Sequence, residues 1–232
     1  MLTLLLLIST AWAIDPIETN EVKVVNPPKW LTSAKVDKVV QRVQGILEWD
    51  IRKIQVYWHP DRTEFERSHG YGSAVLAYSR KQDKTVHMGP KIAKENFEAI
   101  FGHELTHVIL FQKYGDAIPK WLEEGLANYV GKQGKVDYNW LAAQAPRDVT
   151  TLSHPFKGIS SEGSYDHARF HYMASTALIE MIAAKCDLED LLQLSVGKKL
   201  ENFLSTYCGI SDVNQAYSSW IKKKNPSKKL GT

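Results

Sequence analysis

The stretch His103-Glu104-Leu105-Thr106-His107 carries the strongest chemical signal in this chain of 232 residues. In an α-helix, residues four apart lie on one face about one turn apart, so the two imidazoles can point to the same place. Glu104 is rotated by about 100° from His103 and reaches beside that point. Apolar residues at 100–101 and 108–111 predict that this helix is buried. The pattern H-E-x-x-H in such a helix predicts zinc ligation by His103 and His107, with Glu104 as a general base.

A catalytic zinc takes three protein ligands and keeps a fourth position for water, so one ligand remains to be found. A second helix is expected over about 121–130 after a tight connector, closed by Gly131. Glu123 and Glu124 both lie on this helix, and they point about 100° apart around its axis. Only one of them can face the metal, and the residues alone leave the choice open.

The two motifs, His103 to His107 and Pro119-Lys120-Trp121-Leu122-Glu123-Glu124-Gly125-Leu126-Ala127, resemble those of the gluzincin metallopeptidases. They are most similar to the small bacterial peptidase MA-like proteins, whose second motif has the form P-x-W-L-x-E-G-x-A. In that group the glutamate before the glycine binds zinc, which implies Glu124 here. The resemblance covers about residues 53–221, although only the two motifs are specific.

The resemblance implies an α+β, zincin-like fold and one Zn²⁺ ion. A small N-terminal sheet lobe with the active-site helix is followed by a mostly helical lobe. The G-x-M-E-N motif with which the aminopeptidase N family grips a substrate amino terminus is absent. The metzincin extension is also absent, because Leu110 and Lys113 stand where that motif needs glycine and histidine.

Asn128 is a candidate for orienting a zinc ligand. It lies one turn after Glu124, and its side-chain carbonyl is expected to accept a hydrogen bond from the second ring nitrogen of His103. An ordinary hydrogen bond near the end of the helix is an equal alternative.

The stretch 164–172 begins a long helical pattern and is rich in tyrosine and histidine. Tyr165 is the first choice for stabilising a tetrahedral oxyanion, because the resemblance implies a tyrosine that opens this helix and projects towards the metal. His167 and His171 lie four residues apart but lack a carboxylate partner. Surface or packing roles are therefore expected for these two histidines.

Residues 1–13 form a short apolar run that ends in Ala11-Trp12-Ala13, an A-x-A cleavage signal. The run is too short to span a bilayer, although it lacks the usual lysine or arginine. It predicts a signal peptide and an exported protein, periplasmic or secreted, without a transmembrane anchor. Cys186 and Cys208 fit an oxidising compartment and are expected to form a disulfide, with two buried thiols as the alternative.

Residues 14–232 are expected to form a single domain. The sheet lobe and active-site helix occupy 14–114, the helical lobe 115–224, and a basic tail 225–232. The net charge of +3 gives no support for a nucleic-acid partner. Strands are expected at 54–58, 75–78 and 85–88, and helices at 35–49, 165–185, 187–195, 198–206 and 212–224, besides the two motif helices.

The leading hypothesis is an exported zinc-dependent peptidase, an endopeptidase acting on peptide or protein substrates. One alternative is a non-catalytic binding module of the cell envelope on the same fold. Glu104 argues against that alternative, because a purely structural site needs no base and closes the fourth position. A zinc hydrolase of a non-peptide amide or ester is the third hypothesis. The sequence does not determine the oligomeric state.

Overall fold

The chain folds into a small mixed sheet near its N-terminus, followed by a mostly helical remainder. The predicted signal peptide at 1–13 and the end of the predicted basic tail at 226–232 lie outside the described residues. No helix among the described residues is long and apolar enough to cross a bilayer. The computed structural model describes residues 15–47, 51–71, 73–132, 134–144, 146–152 and 164–225, without the side chains of residues 164 and 165.

The strands of the sheet are β1 (Ile17–Glu18), β2 (Val22–Val25), β3 (Ile54–Trp58), β4 (Ala77–Arg80) and β5 (Thr85–Met88). They lie in the order β1-β2-β3-β5-β4. Strands β2, β3 and β5 run parallel, while β1 and β4 pair antiparallel at the two edges. The predicted strands at 54–58 and 85–88 are confirmed, and the one predicted at 75–78 begins two residues later.

The helices are α1 (Ser33–Leu47), α2 (Arg62–His69), α3 (Lys94–Tyr114), α4 (Lys120–Gly131), α5 (Tyr138–Ala142), α6 (Ser164–Ala183), α7 (Leu188–Leu194), α8 (Glu201–Leu204) and α9 (Val213–Lys224). Helix α1 buries Val36, Val39, Val40 and Val43 at the spacing of one helical face. A 3-10 turn spans Val149–Thr151.

Helix α3 carries the first motif through the centre of the molecule. Every residue from 100 to 110 is buried, because α1, α4 and the strands β4 and β5 surround the helix. The helix ends at Tyr114, where Gly115 has a φ of 56° and donates its N–H to the carbonyl of Phe111 at 3.0 Å. Glycine adopts this backbone conformation without a Cβ clash, as expected at the end of a helix.

Helix α4 carries the second motif and packs between α3 and α6. Gly125, the residue after Glu124, lies against the backbone of α6. A Cβ atom at Gly125 would stand only 2.1 Å from the carbonyl oxygen of Ser175. The glycine of the motif therefore allows α6 to approach closely behind the glutamate.

Gly131 belongs to α4, so the prediction that it closes the helix is wrong. The helix ends where Lys132 takes a left-handed conformation with a φ of 56°. A Cβ atom at Gly131 would lie 2.8 Å from the carbonyl oxygen of Ala99 and 2.9 Å from the backbone nitrogen of His103. Because Gly131 has no Cβ atom, α4 can contact the turn of α3 that carries His103 closely.

A disulfide joins Cys186, after α6, to Cys208, after α8, as the cysteine count predicted. The bridge spans 22 residues of sequence and ties the connector that follows α6 to the segment before α9. Closing a loop of this size is typically worth about 3 kcal/mol of stability.

Replacing Gly125 with alanine is expected to lower the free energy of unfolding by about 2 kcal/mol or more, because the methyl group would overlap the Ser175 carbonyl. Urea titration measures the effect. Gly45→Ala is the matched control, since Gly45 is exposed in α1 and nothing lies within 4 Å of its Cβ position. Alanine there should leave stability unchanged or raise it by up to about 1 kcal/mol. Equal effects of the two substitutions would contradict the close helix contact.

Candidate active site

Three side chains from α3 and α4 converge on one point. The Nε2 atoms of His103 and His107 lie 3.1 Å apart on successive turns of α3. The carboxylate of Glu124 on α4 lies 3.5 Å from Nε2 of His103 through Oε2 and 3.7 Å from Nε2 of His107 through Oε1. The three ligand atoms are within 4.8 Å of one another. Of the two glutamates left open by the sequence, Glu124 is the one that meets the histidines.

This group fits a zinc ion. Two atoms bound to one tetrahedral zinc at about 2.0–2.1 Å lie about 3.4 Å apart, close to the separations observed here. Oε2 of Glu124 is buried without a hydrogen-bond partner among the described residues. A buried carboxylate oxygen without a partner is costly, and a cation removes that cost. The donor set of two nitrogens and one oxygen leaves a fourth position for water or substrate.

Glu123 points to the other side of His107. It accepts a hydrogen bond from Nδ1 of His107 at 3.0 Å. The same carboxylate meets the ammonium of Lys81 at 2.6 Å through Oε1 and the ammonium of Lys120 through Oε2. A carboxylate on the second ring nitrogen fixes the orientation of a ligating imidazole. From the sequence, Glu123 was predicted only as a possible ligand, although two adjacent glutamates 100° apart allow one carboxylate on each side of a histidine.

The buried charges at this helix contact compensate one another. Burial alone would lower the pKa of His107, but Glu124, Glu123 and Glu104 raise it to about 9. Burial would raise the pKa of Glu124, but His107 and His103 hold it at about 2. Contacts with His107, Lys81 and Lys120 likewise keep the pKa of Glu123 well below its usual value despite burial. The carboxylates that favour the protonated form of His107 would equally favour a divalent cation at this point.

The described hydrogen bonds of Asn128 join α4 to α6. Its amide donates to Oγ1 of Thr176 at 3.0 Å and to the backbone carbonyl of Tyr172 at 3.4 Å. Nδ1 of His103 has no hydrogen-bond partner among the described residues, so the predicted bond from His103 to Asn128 is not observed there. The physical reason is that Asn128 follows Gly125 by three residues and shares its α6-facing side. An effect of Asn128 on zinc affinity stays a prediction.

A cleft of about 270 Å³ opens in front of the ligand atoms, and Glu104 and Tyr172 both line it. Tyr172 comes from α6, and its ring centroid lies 6.3 Å from that of His103. Burial raises the pKa of Tyr172, and Glu124 and Glu104 raise it further, so the phenol keeps its proton. Tyr172 is thus a neutral hydrogen-bond donor in the cleft.

The side chain of Tyr165, the predicted oxyanion stabiliser, lies outside the described residues. Tyr172 follows it by seven residues, nearly two helical turns, and so lies on the same face of α6. The sequence contained both tyrosines but no signal for which turn approaches the metal. His167 is exposed and His171 is buried, so this pair does not resemble a second metal site.

Comparisons with known proteins support the fold. No family model and no curated protein matches the chain. Among solved structures, the chain is similar to the crystal structure of a mutant M1 zinc metallopeptidase from Deinococcus radiodurans bound to a Tyr-Ser-Ala substrate. The TM-score is 0.51 with 16% identity, and the match covers 90% of this chain and 50% of that chain. The chain therefore spans about half the length of that enzyme, and the likeness agrees with the predicted α+β architecture.

Replacing Glu123 with alanine is expected to weaken zinc binding by about 10- to 100-fold, because His107 loses the carboxylate that orients its ring. Competition with a chromogenic chelator measures the affinity. Glu98→Ala is the matched control, since Glu98 pairs with Lys38 on α1 at the exposed side of α3. The same titration of Asn128→Ala tests the predicted contribution of that residue. Unchanged zinc affinity in Glu123→Ala would contradict the assigned role of Glu123.

Zinc binding is expected to release a proton from His107, because the pKa of His107 without metal is raised to about 9 and a ligating imidazole must be neutral. Apparent zinc affinity should therefore rise from neutral pH towards pH 9. Calorimetry in buffers of different ionisation enthalpy counts the released protons. Glu123→Ala should release fewer, since it removes one of the carboxylates that hold the proton. Equal proton release by both proteins would contradict this electrostatic description.

Proposed function

We propose that the chain is an exported zinc-dependent peptidase that cleaves internal peptide bonds. The observation that carries the proposal is the convergence of His103, His107 and Glu124, with Glu104 beside them in an open cleft. A site with three protein donors and an adjacent general base is the arrangement that hydrolytic zinc enzymes use. The likeness in fold to a zinc metallopeptidase adds independent support.

His103, His107 and Glu124 are the residues that would hold the ion. Zinc bound at such a site supplies a Lewis acid that lowers the pKa of a coordinated water and polarises a carbonyl group. Glu104, one residue after His103 and in the same cleft, accepts the proton of the attacking water. It then returns that proton to the amine that leaves. Glu123 keeps the ring of His107 in its ligating orientation.

Tyr172 is our candidate for stabilising the oxyanion. Its phenol is neutral and donates a hydrogen bond to the negative oxygen that develops when water attacks the carbonyl. Asn128 supports this role as a positioning residue, because its amide donates to the backbone carbonyl of Tyr172. Tyr165, two turns earlier in α6, remains the alternative donor.

The edge strand β4 is our candidate for binding the substrate backbone. It pairs with β5 on one side and is the last strand of the sheet. Residues 77–79 of this strand line the cleft. An extended peptide can add to such an edge through main-chain hydrogen bonds. This mode of binding does not require a chain end, and it therefore favours cleavage within a peptide.

Export is supported by two features of the chain. The apolar run at 1–13 ends in a signal-peptidase pattern, and the disulfide between Cys186 and Cys208 fits an oxidising compartment. In this proposal, the protein cleaves its substrates after its own signal peptide has been removed.

Glu104→Gln is expected to reduce peptide cleavage by about 10²- to 10⁴-fold while zinc content stays at that of the parental protein, because the variant lacks only the base. Mass spectrometry of a digested peptide library, with metal analysis of both proteins, measures these quantities. Removal of zinc should abolish cleavage, and addition of zinc should restore it. Bound zinc without cleavage of any peptide would contradict the proposal. Turnover of esters alone would then indicate a non-peptide hydrolase, and no turnover a binding module.

Tyr172→Phe is expected to lower kcat by about 10²-fold with little change in KM, because the lost hydrogen bond forms only in the transition state. Steady-state kinetics measure kcat and KM on a peptide that the peptide-library experiment identifies as a substrate. Tyr165→Phe is the matched variant on the same helix and should cleave at nearly the parental rate. The reverse outcome would assign the role to Tyr165.

A further inference from the structure

Two ammonium groups meet on the wall of the cleft, and the proposed mechanism uses neither. Lys81 follows β4, and Lys120 opens α4. Lys81 Nζ lies 2.6 Å from Oε1 of Glu123, and the ammonium of Lys120 contacts Oε2 of the same carboxylate. The side chain of Lys81 is 22% exposed and that of Lys120 is 50% exposed. Both lysines line the cleft and are therefore accessible to a bound molecule.

One carboxylate does not satisfy this pair of cations. Glu123 also accepts the hydrogen bond of His107, so three donors share its two oxygens. Each ammonium has three N–H donors, and Glu123 engages one on each lysine. Burial lowers the pKa of Lys81, Glu123 acts against this shift, and the nearby Lys120 adds to it because like charges repel. A second anion between the lysines would relieve this repulsion.

The lysines also decide the sign of the charge in the cleft. Among the described residues, three glutamates line it, Glu104, Glu123 and Glu124, and the two lysines offset two of them. With a divalent ion on the ligand atoms, the formal charge of the cleft is positive by one unit. Without the lysines it would be negative by one unit. The free amino terminus of a peptide is thus repelled by this wall, whereas an anionic group is attracted.

We propose that Lys81 and Lys120 form an anion subsite that selects peptides with a carboxylate close to the scissile bond. The carboxylate comes from an aspartate or glutamate side chain, which is compatible with cleavage inside a peptide, or from the free carboxyl terminus, which presents the same chemistry to the lysines and would confine cleavage to bonds near that end. This inference rests on the proposed peptidase function and specifies its substrates. Charge-assisted hydrogen bonds in a partly buried cleft predict a preference of roughly tenfold over a neutral group of the same shape.

Matched peptide pairs test the proposal on the zinc-loaded protein. In the first set, acetylated and amidated peptides carry a single Glu or Gln at each position around the cleavage site. In the second set, peptides without acidic residues differ only in a free or amidated carboxyl terminus. At one position or at the terminus, kcat/KM should be about tenfold higher for the carboxylate member. This ratio should shrink as salt concentration is raised.

Variants locate the preference in the two lysines. In Lys120→Gln and in Lys81→Met the ratio should fall towards one, and in Lys120→Glu it should invert. Lys120 is the more exposed of the pair, so its variants keep the test available if Lys81→Met fails to fold. Lys199→Met is the control. Lys199 is exposed and is not among the residues of the cleft, so this substitution changes the net charge by the same amount at a different place. Zinc content is measured in each variant because Glu123 contacts both the lysines and His107.

Failure of this inference is distinguishable from failure of the proposed function. Cleavage with equal kcat/KM for both members of every pair would overturn the anion subsite while leaving the peptidase in place. If no peptide is cleaved, calorimetry with the same pairs and the zinc-loaded Glu104→Gln protein decides. The subsite would be supported if the carboxylate member binds about tenfold more tightly than its neutral partner. This preference should disappear in the double variant Glu104→Gln with Lys120→Gln. Equal binding of both members would overturn it.

Discussion

The burial of several charged side chains at the contact of α3 and α4 is the constraint on which the rest of the structure depends. His107 lies between two carboxylates, and one oxygen of Glu124 receives no hydrogen bond from the part of the chain that the structure describes. Charges in an apolar interior are costly unless opposite charges or a metal ion meet them. Here the lysines of the cleft compensate Glu123, and a cation or a proton on His107 compensates Glu124. The charge balance of this helix contact is therefore compatible with the cation that the proposed function requires.

Close helix packing creates this arrangement. The apolar residues that surround the first motif bury α3, and glycines on α4 allow its backbone to touch both neighbouring helices. Gly131 lies against the turn that carries His103, and Gly125 lies against α6 behind Glu124. The α6 contact also brings Tyr172 to the cleft, with Asn128 joining the two helices. The geometry of the site thus depends on the two glycines of α4 as much as on the ligand Glu124.

The sequence predicted the features that depend on local spacing. The period of an α-helix pairs His103 with His107, the flanking glycine ends α3 at Tyr114, and alternation identifies β3 and β5. Strands β1 and β2 escaped prediction because they are short and because tertiary contacts set their pairing, β1 with β2 and β2 with β3. The turn of α6 that faces the cleft depends on the packing of α6 against α4. For the same reason, spacing could not reveal that Glu123 binds His107 while Asn128 turns to α6.

Crystals of the protein grown with zinc, measured by anomalous diffraction at the zinc edge, would reveal whether the three ligands hold one ion. We expect a single strong peak within bonding distance of Nε2 of His103, Nε2 of His107 and a carboxylate oxygen of Glu124, with Glu123 on Nδ1 of His107. A peak bound by other residues, or none at this point with zinc in excess, would show that these side chains do not form the metal site.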